Sequence, residues 1–464
     1  MSMGKTTKVS SKLGFFSLFS VAIGLIIAQS GFVPLLQTAA ISESGFIIAL
    51  GCAYLLALTY VMSFSELALM FPRAGGLATY TEAAIGNLPA IVAVFSAYVI
   101  PPMLGIGAEI FLLDTLMNEL YPGAFSPLFL GYMTLATFAI MNCFGIDMFA
   151  RLQSLIVIVM ILAISFLAYS ALTTTTPVEG SLNITDFSNF NPMGLGVFSV
   201  IALSIWCMVG AEFVCPLVEE AEKPNRDIPK SMLIGLSFIF VLYLILGYSA
   251  LHVLPAQQIL ESTAPHALLA KTVFGEGSSA LIAAIAITAC ASSVNAVMAS
   301  IPHMLYGMAK NRQVFPQFKK LNKYGAPWVG ILFLSLSISV PLAFMQSEID
   351  SIMLLLIAAS VSWFIAYIIA HINVIVLRCR KPEISRPFKT PFYPLPQVLG
   401  IVGFAYIAIN CSPTPEMSLQ VYSITGTLLL LITVIGALWV KFHMKEEFFK
   451  PVSVPTTSSS VSHD

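Results

Sequence analysis

Apolar residues in this chain gather into long runs that end at proline, glycine or charge. A helix that crosses a membrane needs about 20 apolar residues. Twelve runs meet that need, at about 14–36, 44–70, 88–113, 126–145, 151–173, 194–218, 231–253, 278–307, 327–346, 351–377, 394–411 and 418–440. Short segments alternating in polarity, which would mark an outer-membrane barrel, do not occur. The pattern predicts an all-α integral membrane protein of twelve transmembrane helices.

Composition narrows the reading further. Of 464 residues, 58% are apolar and 10% are charged, against roughly 25% charged in a soluble domain. Mean hydropathy is +0.89. These values exclude a soluble enzyme, a disordered chain and a disulfide scaffold. A net charge of −1 supplies no field for nucleic acid. With twelve spans, 21 of the 22 Lys and Arg fall on the side of the termini and only Lys271 falls on the other. The positive-inside rule then puts both termini in the cytoplasm, in what we expect to be a bacterial inner membrane.

Three lysines precede the first span, which lacks a cleavage site and is expected to stay as a helix. The Ser/Thr-rich tail from Pro451 is expected to be disordered. The seven cysteines form no CxxC pair and read as core-filling hydrophobes, with no metal or cofactor implied. Asn183-Ile184-Thr185 is a glycosylation triplet that matters only in a eukaryotic host.

Two spans carry small and polar residues at mid-depth. The first reads Gly24-Leu25-Ile26-Ile27-Ala28-Gln29-Ser30-Gly31-Phe32-Val33-Pro34, and the sixth reads Trp206-Cys207-Met208-Val209-Gly210-Ala211-Glu212-Phe213-Val214-Cys215-Pro216. If the backbone unwinds there, free N–H and C=O groups face inward and can bind a small zwitterion or ion. The plainer alternative is a kink in each helix. Their places, first and sixth, favour unwinding, because they head the two halves of a five-plus-five inverted repeat.

Trp206-x-x-x-Gly210-x-Glu212, with Glu219-Glu220-Ala221-Glu222-Lys223-Pro224-Asn225-Arg226-Asp227-Ile228-Pro229 after it, resembles the sixth span and following loop of the amino acid–polyamine–organocation (APC) transporters. Three more blocks resemble the same family: Ser65-Glu66-Leu67 with Phe71-Pro72-Arg73-Ala74-Gly75-Gly76, Tyr306-Gly307-Met308-Ala309-Lys310 with Phe315-Pro316 and Asn322-Lys323, and Arg386-Pro387-Phe388-Lys389-Thr390-Pro391-Phe392-Tyr393-Pro394. The match covers about residues 12–440. Phe71–Gly76, Pro101-Pro102 and the Gly24–Ile27 entry look loosely like the ethanolamine-permease branch.

The resemblance implies a LeuT-type fold: a cytoplasmic tail (1–13), a first repeat (14–173), a second repeat (194–377), two peripheral helices (394–440) and a second cytoplasmic tail (441–464). It implies alternating access around a substrate at the midplane. N–H groups from Ala28 to Gly31, beside Ile27, would bind a substrate carboxylate or hydroxyl. Carbonyls from Cys207 to Gly210, Val209 among them, would hold the ammonium, and Trp206 would close as a gate. The dipole ends agree with that polarity. Two departures matter. Gln29 stands within the glycine-rich triplet common in relatives, and the fifth span carries no basic residue after Arg151, so a lysine there cannot serve coupling.

Acidic residues inside the membrane are costly and point to function. Glu212, just past the break, is expected to carry the coupling proton; its alternative is a structural hydrogen bond to the unwound backbone. Glu109 reads either as a counter-charge for an amine or as a residue pairing locally near the outer end. Asp114 is expected to be solvated and His371 to be a helix-interface histidine. Ser292 and Ser293, with Asn295, resemble a sodium site, although small polar residues also pack helices.

Neither HExxH nor GxxxxGK[ST] occurs, so no enzyme is expected and the energy source should be a gradient. The expectation is a secondary transporter of an amino acid or small amine, by proton symport or exchange, with proton and lipid as its other partners and no preference for an oligomeric state. Sodium coupling, or a non-transporting sensor of the same fold, are the alternatives.

Overall fold

A computed structural model describes residues 12–175, 178–180, 200–343, 349–411 and 415–453. The glycosylation triplet and the end of the tail lie outside these residues. Among the described residues every regular element is helical, apart from one isolated bridge between Leu13 and Ala221. Seven helical stretches are long and apolar enough to cross a membrane: Gln29–Met70, Asn87–Leu120, Ile146–Leu172, Pro224–Val253, Pro265–Lys310, Ile352–Arg380 and Pro415–Met444. Four shorter apolar helices accompany them: Phe15–Gly24, Phe129–Asn142, Trp328–Leu342 and Leu395–Ile409.

The first apolar run is two helices, α1 (Phe15–Gly24) and α2 (Gln29–Ser42), joined by an extended Ala28. α3 (Phe46–Met70) follows, then a short connecting helix α4 (Leu77–Ala84). The third run is α5 (Asn87–Tyr98) and α6 (Gly107–Leu120), linked by a π-helical turn at Pro102–Ile106. Pro101 and Pro102 lack N–H donors, so the ordinary ladder cannot run through them, and the wider turn takes up the register. α7 (Phe129–Asn142) and α8 (Ile146–Leu172) complete the first half.

The sixth run also breaks. α9 (Ile201–Trp206) stops, and a 3-10 segment resumes at Ala211–Glu220. Gly210 turns the chain with φ 116°, a conformation open to glycine at no steric cost. A side chain there would meet Leu25, so the two breaks pack against each other. Five longer helices follow: α10 (Pro224–Val253), α11 (Ser279–Lys310), α12 (Trp328–Leu342), α13 (Ile349–Arg380) and α14 (Leu395–Ile409). α15 (Pro415–Leu438) ends in a π turn at Trp439–Met444.

Helices α8 and α15 turn large apolar side chains outward, among them Leu155, Leu162, Leu419 and Leu430. Water would penalise such faces and lipid does not. The seven cysteines are all free thiols.

The face that carries the described ends of the chain is tied shut. Leu13 donates its N–H to Glu220 (2.7 Å) and accepts from Glu222 (2.9 Å). Ala74 N–H donates to Glu219 Oε1 at 3.0 Å. Gly75 and Gly307 approach backbone to backbone, leaving no room for a Cβ on Gly307. Arg378 grips Glu66 at both oxygens (2.8 and 2.6 Å), Arg386 approaches the same carboxylate at 3.4 Å, and Thr390 N–H donates to it at 2.8 Å. Beyond α15 the chain folds back over α4 and α5: Leu88 N–H donates to the Phe448 carbonyl (3.2 Å) and Val452 N–H to the Glu82 carbonyl (3.0 Å).

Candidate functional site

A small cavity of about 40 Å³ lies where the two breaks meet. Its wall includes Ala28 and Ser30 from the first break, Trp206, Val209 and Phe213 from the second, Pro101 to Ile106 and Glu109 from the third run, Ser293 from α11 and Trp363 from α13. No lysine or arginine is among its lining residues. Trp206 and Trp363 meet edge to face, with ring centroids 6.3 Å apart at 82°.

Glu109 is buried, and each of its oxygens accepts a main-chain N–H across the cavity wall: Oε1 from Gln29 and Oε2 from Ser30, both at 2.6 Å. The π turn at Pro102–Ile106 resets the helix just before α6 and so aims this side chain at the start of α2. The neighbouring N–H groups are also used. Ala28 donates to the Ile26 carbonyl (3.0 Å) and Gly31 to the Ala28 carbonyl (2.9 Å). The four N–H groups expected to receive a substrate carboxylate are therefore engaged within the chain, two of them by a carboxylate the protein itself provides. Glu109 thus pairs with the backbone at the start of α2 while it lines the cavity.

Glu212 is fully buried behind the aromatic wall. Its Oε1 accepts from Trp363 Nε1 and from the Tyr367 hydroxyl, both at 2.9 Å, while Oε2 has no partner among the described residues. Tyr367 stacks on Tyr60 at 4.3 Å, and Tyr60 donates to the Met208 carbonyl inside the second break at 2.8 Å. Trp363 thus has one face on the cavity and its N–H on Glu212. Cys207 Sγ contacts the Gly31 carbonyl at 3.3 Å. Gly31 and Cys207, and Gly210 through Leu25, bring the two breaks into contact; like Ile27, they are not among the residues lining the cavity.

A family model described as amino acid permease matches residues 13–438. The chain belongs to that family. It is a membrane transport protein of the APC superfamily. The chain is 23% identical over 441 residues to the branched-chain amino acid permease BcaP of Bacillus subtilis, covering 91% of this chain and 92% of that one. It is equally, 23%, identical over 421 residues to the serine/threonine exchanger SteT of the same organism, covering 88% and 93%. Among solved structures, a manganese transporter of Eremococcus coleocola superposes with TM-score 0.63 at 12% identity, over 92% of this chain and 94% of that one. At that identity the likeness is one of fold alone.

Several residues of this permease stand elsewhere than the sequence suggests. Asp114 is buried, not solvated: it accepts Leu128 N–H (2.8 Å) and Asn118 Nδ2 (3.1 Å), because the 121–128 loop turns back onto α6. Ser292 accepts Gln153 Nε2 at 2.9 Å, Gln153 Oε1 accepts Asn295 Nδ2 at 2.8 Å, and Asn295 accepts Asn142 at 2.9 Å. Ser293 Oγ donates to the Ala289 carbonyl at 3.0 Å. An amide in α8 therefore binds the serine weighed as a sodium ligand. His371 sits between Ser63 (2.9 Å) and Thr59 (3.4 Å), the helix-interface histidine expected. Phe213, Trp363, Tyr367 and Gln153 were not singled out from the sequence; each is an ordinary-looking residue inside an apolar run. Gln29 lines a second cavity, of about 90 Å³, beside His266 and Glu119. Among the described residues no group of three or more His, Cys, Asp or Glu side chains could hold a metal ion.

Proposed function

We propose that this permease is a secondary active transporter of an amino acid or small amine, working by alternating access through a twelve-span, five-plus-five inverted-repeat fold with both termini in the cytoplasm of a bacterial inner membrane. The observation that carries the reading is the cavity between two broken helices. Unwound segments bring polar backbone and the Glu109 carboxylate to a cavity where a small ligand can meet polar groups without lipid contact, and relatives along most of the chain bear the names of amino acid carriers. We read the coupling ion as a proton. Glu212 is fully buried, has one oxygen without a partner among the described residues, and is hydrogen-bonded to Trp363, which lines the cavity. A substrate that moves Trp363 would change the hydrogen bonds of the carboxylate, and that is a direct route from binding to protonation.

The decisive measurement is uptake or exchange by purified protein in liposomes, across pH 5 to 8, with and without sodium. Wild type should transport without sodium and with a pH dependence. Glu212→Gln keeps the shape but cannot ionise, so it should flatten that dependence while leaving some binding. An absolute need for sodium at constant pH would favour the sodium reading and return attention to Ser292 and Ser293. Absence of flux for every amino acid and amine would leave a sensor.

A further inference from the structure

Resting on the transporter reading above, we infer that the substrate of this cavity is a primary amine or other organic ammonium ion without a carboxylate, held by Glu109 and the faces of Trp206, Phe213 and Trp363. Three observations lead there. The first is occupancy. An α-amino acid brings its own carboxylate, and the natural place for it is the start of α2, where N–H groups and the helix dipole favour an anion. Glu109 already fills that place, with both oxygens hydrogen-bonded at 2.6 Å and the side chain 1% exposed.

The second observation is the price of displacement. Pushing Glu109 aside would strand a carboxylate in a buried, apolar setting, and would bring a second carboxylate beside it. Both changes oppose binding. The third is the sign of the whole wall. The lining residues include Glu109 and no lysine or arginine, so nothing there balances a second anion, whereas an ammonium meets an acidic side chain. Around it stand two indoles and a phenyl ring, whose negative faces attract cations. A carboxylate oxygen that accepts one N–H retains further lone pairs for an ammonium donor.

The test uses matched pairs that differ only in the carboxylate: isobutylamine against valine, phenethylamine against phenylalanine, and 1,4-diaminobutane against ornithine. Binding to the purified full-length chain would be followed by intrinsic tryptophan fluorescence and thermal stabilisation, and flux in liposomes. At least one amine should bind ten times more tightly than its amino acid partner, and the same amine should be carried. Glu109→Gln keeps the size and removes the charge, so it should weaken that amine at least tenfold; Glu109→Ala should free the Gln29 and Ser30 N–H groups and shift preference toward the amino acid. Tighter binding of the amino acids by wild type, or amine binding unchanged in Glu109→Gln, overturns the inference. If amino acids are carried and amines are not, the inference fails while the transporter reading stands. If nothing is carried, both fail.

Discussion

Glu109 and Glu212 are both buried in the permease, yet their surroundings differ in a way that separates their roles. Glu109 has each oxygen on a main-chain N–H, so its geometry is fixed by backbone that a side-chain substitution cannot remove. Glu212 has one oxygen held by two aromatic donors and the other left without a partner, so small movements of Trp363 or Tyr367 change its surroundings. Trp206 belongs with the first of these. It lines the cavity, packs edge-on against Trp363 and makes no contact that the membrane insertion of the chain needs. Trp206→Ala should therefore raise the substrate concentration needed for half-maximal uptake about tenfold or more, the loss of roughly 1.4 kcal/mol or more of ring contact, while the amount of inserted protein stays as in wild type. Quantitative immunoblotting beside initial-rate uptake distinguishes the two effects.

The breaks themselves were legible because glycine, a polar residue and proline interrupt otherwise apolar runs at 24–34 and 206–216. Asp114 was misread because the loop that satisfies it, ending at Leu128, has no sequence signature for folding back. Gln153 carries no charge and interrupts no apolar period, so nothing in the sequence marks the amide that hydrogen-bonds Ser292 and Asn295.

Among the elements, the motif blocks of the sequence turn out to be parts of one surface. Glu66 in α3 and Arg378 in α13 are 312 residues apart and meet in a bidentate pair, with Arg386 of the Arg-Pro-Phe-Lys block beside them. Phe71–Gly76 touches both Glu219 and Gly307. The sequence could list these blocks but could not say that they face one another, since each pairing is between distant segments. The connecting helix α4 adds a titratable contact. Glu82 accepts Asn311 Nδ2 at 2.6 Å and also the Gln313 amide, while Asn87 bridges Gln313 and Glu446. Burial pushes the Glu82 carboxyl up from its ordinary 4.5 to about 8; the Glu446 carboxylate adds to the rise, and Arg73 opposes it.

A folded-state value above the unfolded one means that the folded protein holds this proton more tightly than the unfolded chain does. The associated stability is complete below about 4.5 and is lost as the pH climbs through about 8. The thermal midpoint of the full-length chain in detergent should accordingly fall between pH 5 and pH 8.5. Glu82→Gln, which cannot ionise, should show a shallower fall over the same range. Equal slopes for the two proteins would remove Glu82 from the cause.

Over the whole molecule, the two faces differ in how firmly they are held. One is fastened by the Leu13 bridge, the Gly75–Gly307 contact, the Glu66 ion pair and the returning C-terminal segment. On the other, a second cavity reaches Glu119 and Thr263, close to an exposed ion pair between Lys271 and Glu119 at 3.2 Å. Contacts thus hold the side of the described ends more firmly than the other. Reporter fusions at Met1 and Asp464 should report the same side, the cytoplasm, whereas a reporter placed beside Lys271 should report the opposite one. Opposite signals from the two termini would refute the twelve-span topology.

The return of residues 446–452 over α4 and α5 also has a consequence in time. A ribosome releases Glu82, Gly86 and Leu88 hundreds of residues before Phe448 and Val452, so the N–H of Leu88 and the carbonyl of Glu82 must wait for partners that do not yet exist. Through most of synthesis this corner is open, and Gly86, whose φ of 129° and lack of a side chain let the Phe448 carbonyl come close, stands uncovered. Only a chain that has threaded its last helix through the membrane can cover it. The corner at Gly86 is therefore covered last, by the part of the chain that is made last.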